Sequence, residues 1–120
     1  MSKLIAFVSN TSWSLWNFRL SLMRALKKRG YKIAAIAPED EYSEKLKREF
    51  VFYGVKNLDR KGKNPIKDFK LFLEYFKLYR KIKPDLVINF TIKPNIYSSM
   101  AAGLLKVPCL SVVTGLGYVF

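Results

Sequence analysis

Residues 3–14 read Lys3-Leu4-Ile5-Ala6-Phe7-Val8-Ser9-Asn10-Thr11-Ser12-Trp13-Ser14, an apolar run of strand length that passes through a polar loop into a helical pattern. Apolar residues then return at Phe18, Leu22 and Leu26, the spacing of one helix face, until Gly30 supplies a C-cap. This strand, loop and helix unit recurs along the chain. Lys32 to Ala37 is a second strand closed by Pro38, and Asp40 to Glu49 is a short charged helix. Val51 to Leu58 reads as a third strand. Asn64-Pro65 opens the longest helix, whose stripe Ile66, Phe69, Leu73, Phe76 and Tyr79 is expected to pack on the sheet, and Pro84 ends it. Asp85 to Thr91 and Pro108 to Thr114 are two further buried strands, separated by a helix from about Asn95 to Leu105. Near-continuous apolar strands alternating with helices predict a doubly wound, Rossmann-like α/β fold, a parallel sheet with helices on both faces.

Composition narrows the function classes. At 120 residues and 50% hydrophobic, the chain suits one domain with a real core. Lysine plus arginine number 22 against 9 acidic residues, a formal charge of +13 that favours anionic partners: phosphates, nucleic acid or acidic lipid. The absence of histidine excludes histidine-dependent triads and histidine metal sites. The one cysteine, Cys109, sits in an apolar strand pattern, is expected to be a small buried hydrophobe, and points to a reducing cytoplasm. No metal site is expected. No apolar stretch approaches the roughly 18 residues a spanning helix needs, so membrane contact is expected to be peripheral.

In such a fold the chemistry lies in the loops at the carboxyl ends of the strands. The first loop carries neither G-x-G-x-x-G nor G-x-x-x-x-G-K-[ST]. It offers Asn10, Thr11, Ser12, Trp13 and Ser14 instead, side chains that either cap the helix or hydrogen-bond a sugar or phosphate. Trp13 and Trp16 add rings able to stack on a sugar face. Arg19 falls in the first turn of the helix, against the helix dipole, which a bound anion or plain solvation would explain. Asp40, Glu41 and Asp59 follow strands but read equally well as turn and helix-start residues, so no catalytic base is assigned. Along the long helix Lys67, Lys70, Glu74, Lys77 and Lys81 share one face, which would suit an anionic membrane surface, a diphosphate, or simple solvation.

Five segments in register resemble one family. They are Asn10-Thr11-Ser12-Trp13-Ser14-Leu15-Trp16-Asn17-Phe18-Arg19, Ala37-Pro38-Glu39-Asp40-Glu41-Tyr42, Asp59-Arg60-Lys61-Gly62 with Asn64-Pro65, Phe90-Thr91-Ile92-Lys93-Pro94-Asn95-Ile96-Tyr97, and Thr114-Gly115-Leu116-Gly117-Tyr118. The chain resembles the N-terminal domain of bacterial family-4 glycosyltransferases of the GT-B fold, which build capsular, O-antigen and other lipid-linked glycans.

That resemblance implies two Rossmann-like domains facing a cleft, the N-terminal one binding the acceptor and the C-terminal one the nucleotide-sugar. Residues 1–120 would be the acceptor half, inactive without the other, in which the donor-phosphate lysine and the E-x7-E motif lie. The implied acceptor is a saccharide on undecaprenyl diphosphate at the inner leaflet of the plasma membrane, so the implied location is cytoplasmic and peripheral. No cofactor is implied beyond the nucleotide-sugar as co-substrate. Thr114, Gly115, Gly117 and Tyr118 match the family's cleft loop, and Thr91, Lys93 and Asn95 a second cleft-edge loop. The first loop has no glycine, unlike relatives that use backbone amides there, and the histidine some relatives carry near the cleft is missing. A second class of reading, a non-catalytic basic module for anionic lipid or nucleic acid, competes with the enzyme; no helix-turn-helix, RNA-recognition or zinc pattern supports the nucleic-acid version.

Overall fold

The computed structural model describes residues 3–58 and 64–112. Its elements run β1 (Leu4–Val8), α1 (Ser12–Ser14), a π-helical turn (Leu15–Arg19), α2 (Leu20–Lys28), β2 (Lys32–Ala37), α3 (Ser43–Glu49), β3 (Val51–Gly54), α4 (Pro65–Ile82), β4 (Leu86–Phe90), a second π-helical turn (Pro94–Ser98), α5 (Ser99–Leu104) and β5 (Cys109–Val112). The five strands are parallel, in the order β3-β2-β1-β4-β5. The doubly wound sheet expected from the alternation is therefore present. Successive strands step outward from β1 to β3, then the chain returns to β4 on the other side, so the topological switch lies between β1 and β4.

Strand alternation sorts the core into two layers. Ile5, Phe7, Ile33, Ala35, Ile88 and Phe90 meet Leu15, Met23 and Leu46 on one face. Ala6, Val8, Ile36 and Val87 meet Leu71, Tyr75, Tyr79, Ala101 and Ala102 on the other. The small residues of β2 and α5 let helices approach the sheet closely, which explains why alanine is so frequent there.

Four expectations change. The third strand ends at Gly54, because the amides of Lys56 and Asn57 leave the ladder and donate to the Glu74 carboxylate at 2.8 and 3.1 Å. The short charged helix starts at Ser43, since Asp40 spends its carboxylate on the Tyr42 amide in a turn. Cys109 is exposed, because β5, expected to be a buried strand, is the edge of the sheet, exposed over Cys109, Leu110 and Ser111 and partly buried only at Val112. Finally, the sheet-facing residues of α4 are Leu71, Tyr75 and Tyr79, whereas Ile66 and Phe69 of the expected stripe are 71% and 60% exposed. Tyr79 alone belongs to both sets.

The start of α4 is well determined. Asn64 accepts hydrogen bonds from the amides of Ile66 and Lys67 at 3.1 and 3.2 Å, and Pro65 occupies the first turn, where a missing N–H costs nothing. Lys83, at φ 49°, closes the helix in the left-handed region before Pro84.

Candidate functional site

The carboxyl ends of β1 and β2 open onto a cavity of about 520 Å³ lined by Asn10, Thr11, Trp13, Pro38, Glu39, Asp40, Glu41, Tyr42, Leu58 and Lys67. Its floor is a web of hydroxyls that fuses the two loops. Thr11, in extended backbone, caps α1 by accepting from the Ser14 amide at 3.0 Å. Ser12 is fully buried, donating to the Pro38 carbonyl at 2.7 Å and accepting from Ser43 at 3.1 Å. Ser12 thus stands behind the cavity wall and stitches α1 to α3, while Asn10, Thr11 and Trp13 face the opening. The Ser9 hydroxyl pairs with that of Ser14 at 2.6 Å and completes the web.

Asp40 is the hub of the opposite wall. One carboxylate oxygen accepts from the Trp13 amide at 2.9 Å and the other from the Tyr42 amide at 2.7 Å, so a single side chain fixes both aromatic residues. That structural duty leaves it poorly placed to serve as a proton acceptor. Trp13 is 45% exposed and its ring meets Phe18 edge-to-face, centroids 5.2 Å apart. It is a held, accessible platform. Trp16 is instead packed against the core, with Lys45 and Arg24 over its ring at 5.5 and 5.6 Å. Glu39 and Glu41 complete an acidic wall in a chain with only 9 acidic residues, and Lys67, in the first turn of α4, provides the cation at the rim.

The β1/β4 switch carries a different set. Arg19 is not in the first turn of its helix; it ends the π-helical turn that α1 leads into, and its guanidinium lies 4.3 Å from the centroid of the buried Phe90 ring. Phe90 in turn stacks on Phe7 at 5.9 Å, so the cation rests on core aromatics at the carboxyl ends of β1 and β4. Both helices that flank the switch open with a π-helical turn, a device that widens the helix and re-aims side chains. Thr91, the residue after β4, sits at φ 74°, a costly position for a β-branched residue, and its hydroxyl turns back to the Phe90 carbonyl.

Lys93 and Asn95 are committed to neighbours. Lys93 pairs with Asp68 of α4 at 2.9 Å, both side chains less than one-fifth exposed, and the Tyr97 hydroxyl donates to the same carboxylate at 3.2 Å. Desolvation, then the bond to Asp68, raises the Tyr97 pKa. Asn95 donates to the Val112 carbonyl at 3.1 Å, which fixes the end of β5 where the chain enters residues 113–120. Thr114, Gly115, Gly117 and Tyr118, and also Asp59, lie outside the described residues. Of the long-helix lysines, Lys67 reaches the cavity while Lys70, Lys77 and Lys81 are exposed; Glu74 of the same face caps the Lys56 and Asn57 amides.

A first-loop reading centred on Asn10 to Ser14 missed Pro38, Glu39, Asp40, Glu41, Tyr42 and Leu58 as cavity walls. The signal was available: β1 and β2 are neighbours, so the loops at their carboxyl ends must meet.

A family model described as "Glycosyl transferase 4-like" matches residues 4–120. The chain belongs to that family. Among curated proteins it is 31% identical over 114 residues to the N,N'-diacetylbacillosaminyl-diphospho-undecaprenol alpha-1,3-N-acetylgalactosaminyltransferase of Campylobacter jejuni, covering 94% of this chain and 30% of that one. The chain therefore spans less than a third of this relative's length. Among solved structures the fold matches MurG of Acinetobacter baumannii, with TM-score 0.74, 20% identity and coverage of 92% of this chain and 34% of that one. A glycosyltransferase from Rickettsia africae follows at TM-score 0.70, 17% identity, and 92% and 29% coverage. A UDP-N-acetylglucosamine 2-epimerase also matches at TM-score 0.70, 15% identity, and 99% and 35% coverage. The same α/β domain thus occurs in a non-transferase, so this glycosyl transferase 4-like domain takes its family from the sequence match and only its fold from the structures.

Proposed function

We infer that this domain binds the acceptor in the transfer of a sugar from a nucleotide-sugar to a saccharide carried on undecaprenyl diphosphate, in the synthesis of a cell-surface polysaccharide. The observation that carries the reading is the cavity of about 520 Å³ between the β1 and β2 loops, with its mixed lining. Trp13 and Tyr42 offer apolar rings to a sugar's C–H face, while Asn10, Glu39 and Glu41 offer acceptors to its hydroxyls. Lys67 at the rim suits the diphosphate that follows the saccharide, and Lys70, Lys77 and Lys81 an anionic inner leaflet. The relative's name, which specifies a diphospho-undecaprenol-linked acceptor, supports the same substrate class.

In this reading Arg19, Thr91, Lys93 and Asn95 shape the switch crevice that the donor sugar enters, together with Thr114, Gly115, Gly117 and Tyr118. The nucleotide-sugar is held by a domain outside these residues, and no metal or other cofactor takes part. The domain's contribution is positioning: it brings one acceptor hydroxyl to the donor's anomeric carbon. No residue here is assigned as the base.

The test is a transfer assay on lipid-diphosphate acceptors with a panel of nucleotide-sugars, run with the chain alone and with a nucleotide-sugar domain supplied. Transfer that requires both supports the reading. Failure of both, with retained binding of anionic lipid or nucleic acid, refutes it in favour of a non-catalytic module; steep loss of nucleic-acid binding with salt would mark the latter.

A further inference from the structure

Glu74 departs from the pattern of its own helix face. It stands among the lysines of α4, with Lys70 four residues before it and Lys77 three residues after, the separations at which side chains on a helix meet. Among the described residues it pairs with neither. Its carboxylate takes three N–H donors from the segment that follows β3 instead. One oxygen accepts from the Lys56 amide at 2.8 Å, and the other from the backbone and side-chain amides of Asn57 at 3.1 and 3.0 Å. Two successive backbone N–H groups converging on one anion form a nest, and hydrogen bonds to an ionised acceptor are the stronger kind.

What this clamp holds is a wall of the candidate site. Strand β3 is an edge of the sheet, so the segment beyond it has no ladder partner on its outer side. Val55 is still tied to the Ala37 carbonyl at 3.0 Å, and Leu58, the first side chain past the clamp, lines the cavity of about 520 Å³. The other end of the segment meets the same cavity wall: a Cβ added at Gly54 would stand 3.1 Å from the Glu39 Cγ. Glu74 itself does not line that cavity. It lies about two turns along α4 from Lys67, which does.

We propose that Glu74 is a positioning residue for the acceptor: by anchoring the Lys56 and Asn57 amides to α4, it fixes Leu58 as a wall of the cavity beside the β1 and β2 loops. A backbone held in this way is in place before the acceptor arrives, so binding does not have to order it. This role deepens the acceptor reading and rests on it. It assigns the shape of the cavity to a carboxylate that touches no ligand.

The test compares wild type with Glu74→Gln, Leu58→Ala, the double variant and Lys70→Gln/Lys77→Gln. Glutamine keeps the size of the side chain and removes the charge and one acceptor oxygen. Amide hydrogen exchange followed by NMR on the chain itself reads the clamp. The Lys56 and Asn57 amides should exchange about tenfold faster or more in Glu74→Gln, with the amides of the central strands unchanged. Lys70→Gln/Lys77→Gln should leave both amides as in wild type. Transfer kinetics read the consequence, on farnesyl-diphosphate-linked N-acetylglucosamine, galactose and N,N'-diacetylbacillosamine with a nucleotide-sugar domain supplied. Glu74→Gln should raise the acceptor KM about three- to tenfold with kcat within about twofold. A merely structural role would lower the active fraction and leave KM in place. Made in the Leu58→Ala background, the same substitution should add nothing, because its effect runs through Leu58. Unchanged exchange at Lys56 and Asn57 overturns the clamp. Faster exchange with an unchanged KM, or effects that add in the double variant, overturns the positioning role. A wild type that transfers to none of these acceptors overturns the proposal through the acceptor reading, and the exchange data tell that failure from a failure of the clamp.

Discussion

Tyr75 and Tyr79 stack on each other beneath α4, centroids 5.9 Å apart, and both are essentially fully buried, yet their hydroxyls have opposite circumstances. The Tyr79 hydroxyl pairs with Ser98, whereas that of Tyr75 has no hydrogen-bond partner among the described residues. Replacing each by phenylalanine removes one oxygen at nearly constant burial. For Tyr75→Phe the change abolishes an unpaired buried polar group, whose desolvation costs about 1–3 kcal/mol, at the loss of a few van der Waals contacts. A net stabilisation of about 1 kcal/mol is expected. For Tyr79→Phe the hydrogen bond is lost and the fully buried Ser98 hydroxyl is stranded, a destabilisation of about 1–2 kcal/mol. Urea unfolding at neutral pH should thus separate the two variants by about 2–3 kcal/mol. A pH series adds an independent check. Burial raises the pKa of both tyrosines above that of an unfolded tyrosine near 10, so the native state holds these protons more tightly. Their contribution is complete below about pH 10 and is lost as pH rises, at roughly 1.4 kcal/mol per pH unit for each tyrosine still protonated in the native state. Either phenylalanine variant should show a shallower alkaline loss than wild type. A Tyr75→Phe protein destabilised by more than about 1 kcal/mol would refute the reasoning, because it would mean the hydroxyl is bonded.

Asp68→Asn should cost about 2 kcal/mol by urea unfolding, below the roughly 3–5 kcal/mol of a fully buried broken pair because its partner Lys93 keeps some solvent contact. Pairing the change with Lys93→Met should recover part of the loss, and a loss no smaller in the pair would sink the ion-pair account. Trp13→Ala should raise the acceptor KM about tenfold with kcat little altered, as expected for a binding platform; an unchanged KM in steady-state transfer kinetics would remove Trp13 from the site. Asp40→Ala should act through the same ring, raising KM and lowering stability by about 1 kcal/mol, since two backbone amides lose their acceptor. If Asp40 were instead a general base, the pH–rate profile would lose its acidic limb, which a positioning role would leave in place.

The strand order and the two core layers were legible because they follow from rules that act on every residue: apolar runs of strand length, helical spacing between them, and Gly or Pro at the joints. The site was legible only on one side. Asn10, Thr11 and Trp13 stood out as an unusual loop, but Asp40 looked like an ordinary turn residue, and nothing local reveals that its second oxygen reaches the Trp13 amide 27 positions away. Lys93 failed for a related reason. A lysine near a strand end reads as available, and only the packing of the post-β4 turn on α4 commits it to Asp68. Arg19 was misplaced because the helical segment already begins at Ser12, inside the stretch that reads as a polar loop, so Arg19 falls seven residues beyond its start.

The α4 stripe is the instructive error. Two apolar lines at helical spacing run along the same 18-residue helix, and periodicity cannot say which one meets the sheet. Tyrosine argues weakly for burial, so the line through Phe69 and Phe76 looked like the core. What decides the matter is the geometry of the opposing layer. Ala101 and Ala102 of α5 leave room beside α4 that two stacked tyrosines fill, with Tyr79 anchored to Ser98. Once Tyr75 and Tyr79 are seated, helix geometry sends Ile66 and Leu73 outward. A helix that met only packing demands would carry polar residues there, as the lysines between them attest. Only Ile66 and Phe69 are left exposed on that side, whereas Phe76 lies against the flank of the core, so the expected stripe divides along its length instead of facing one way.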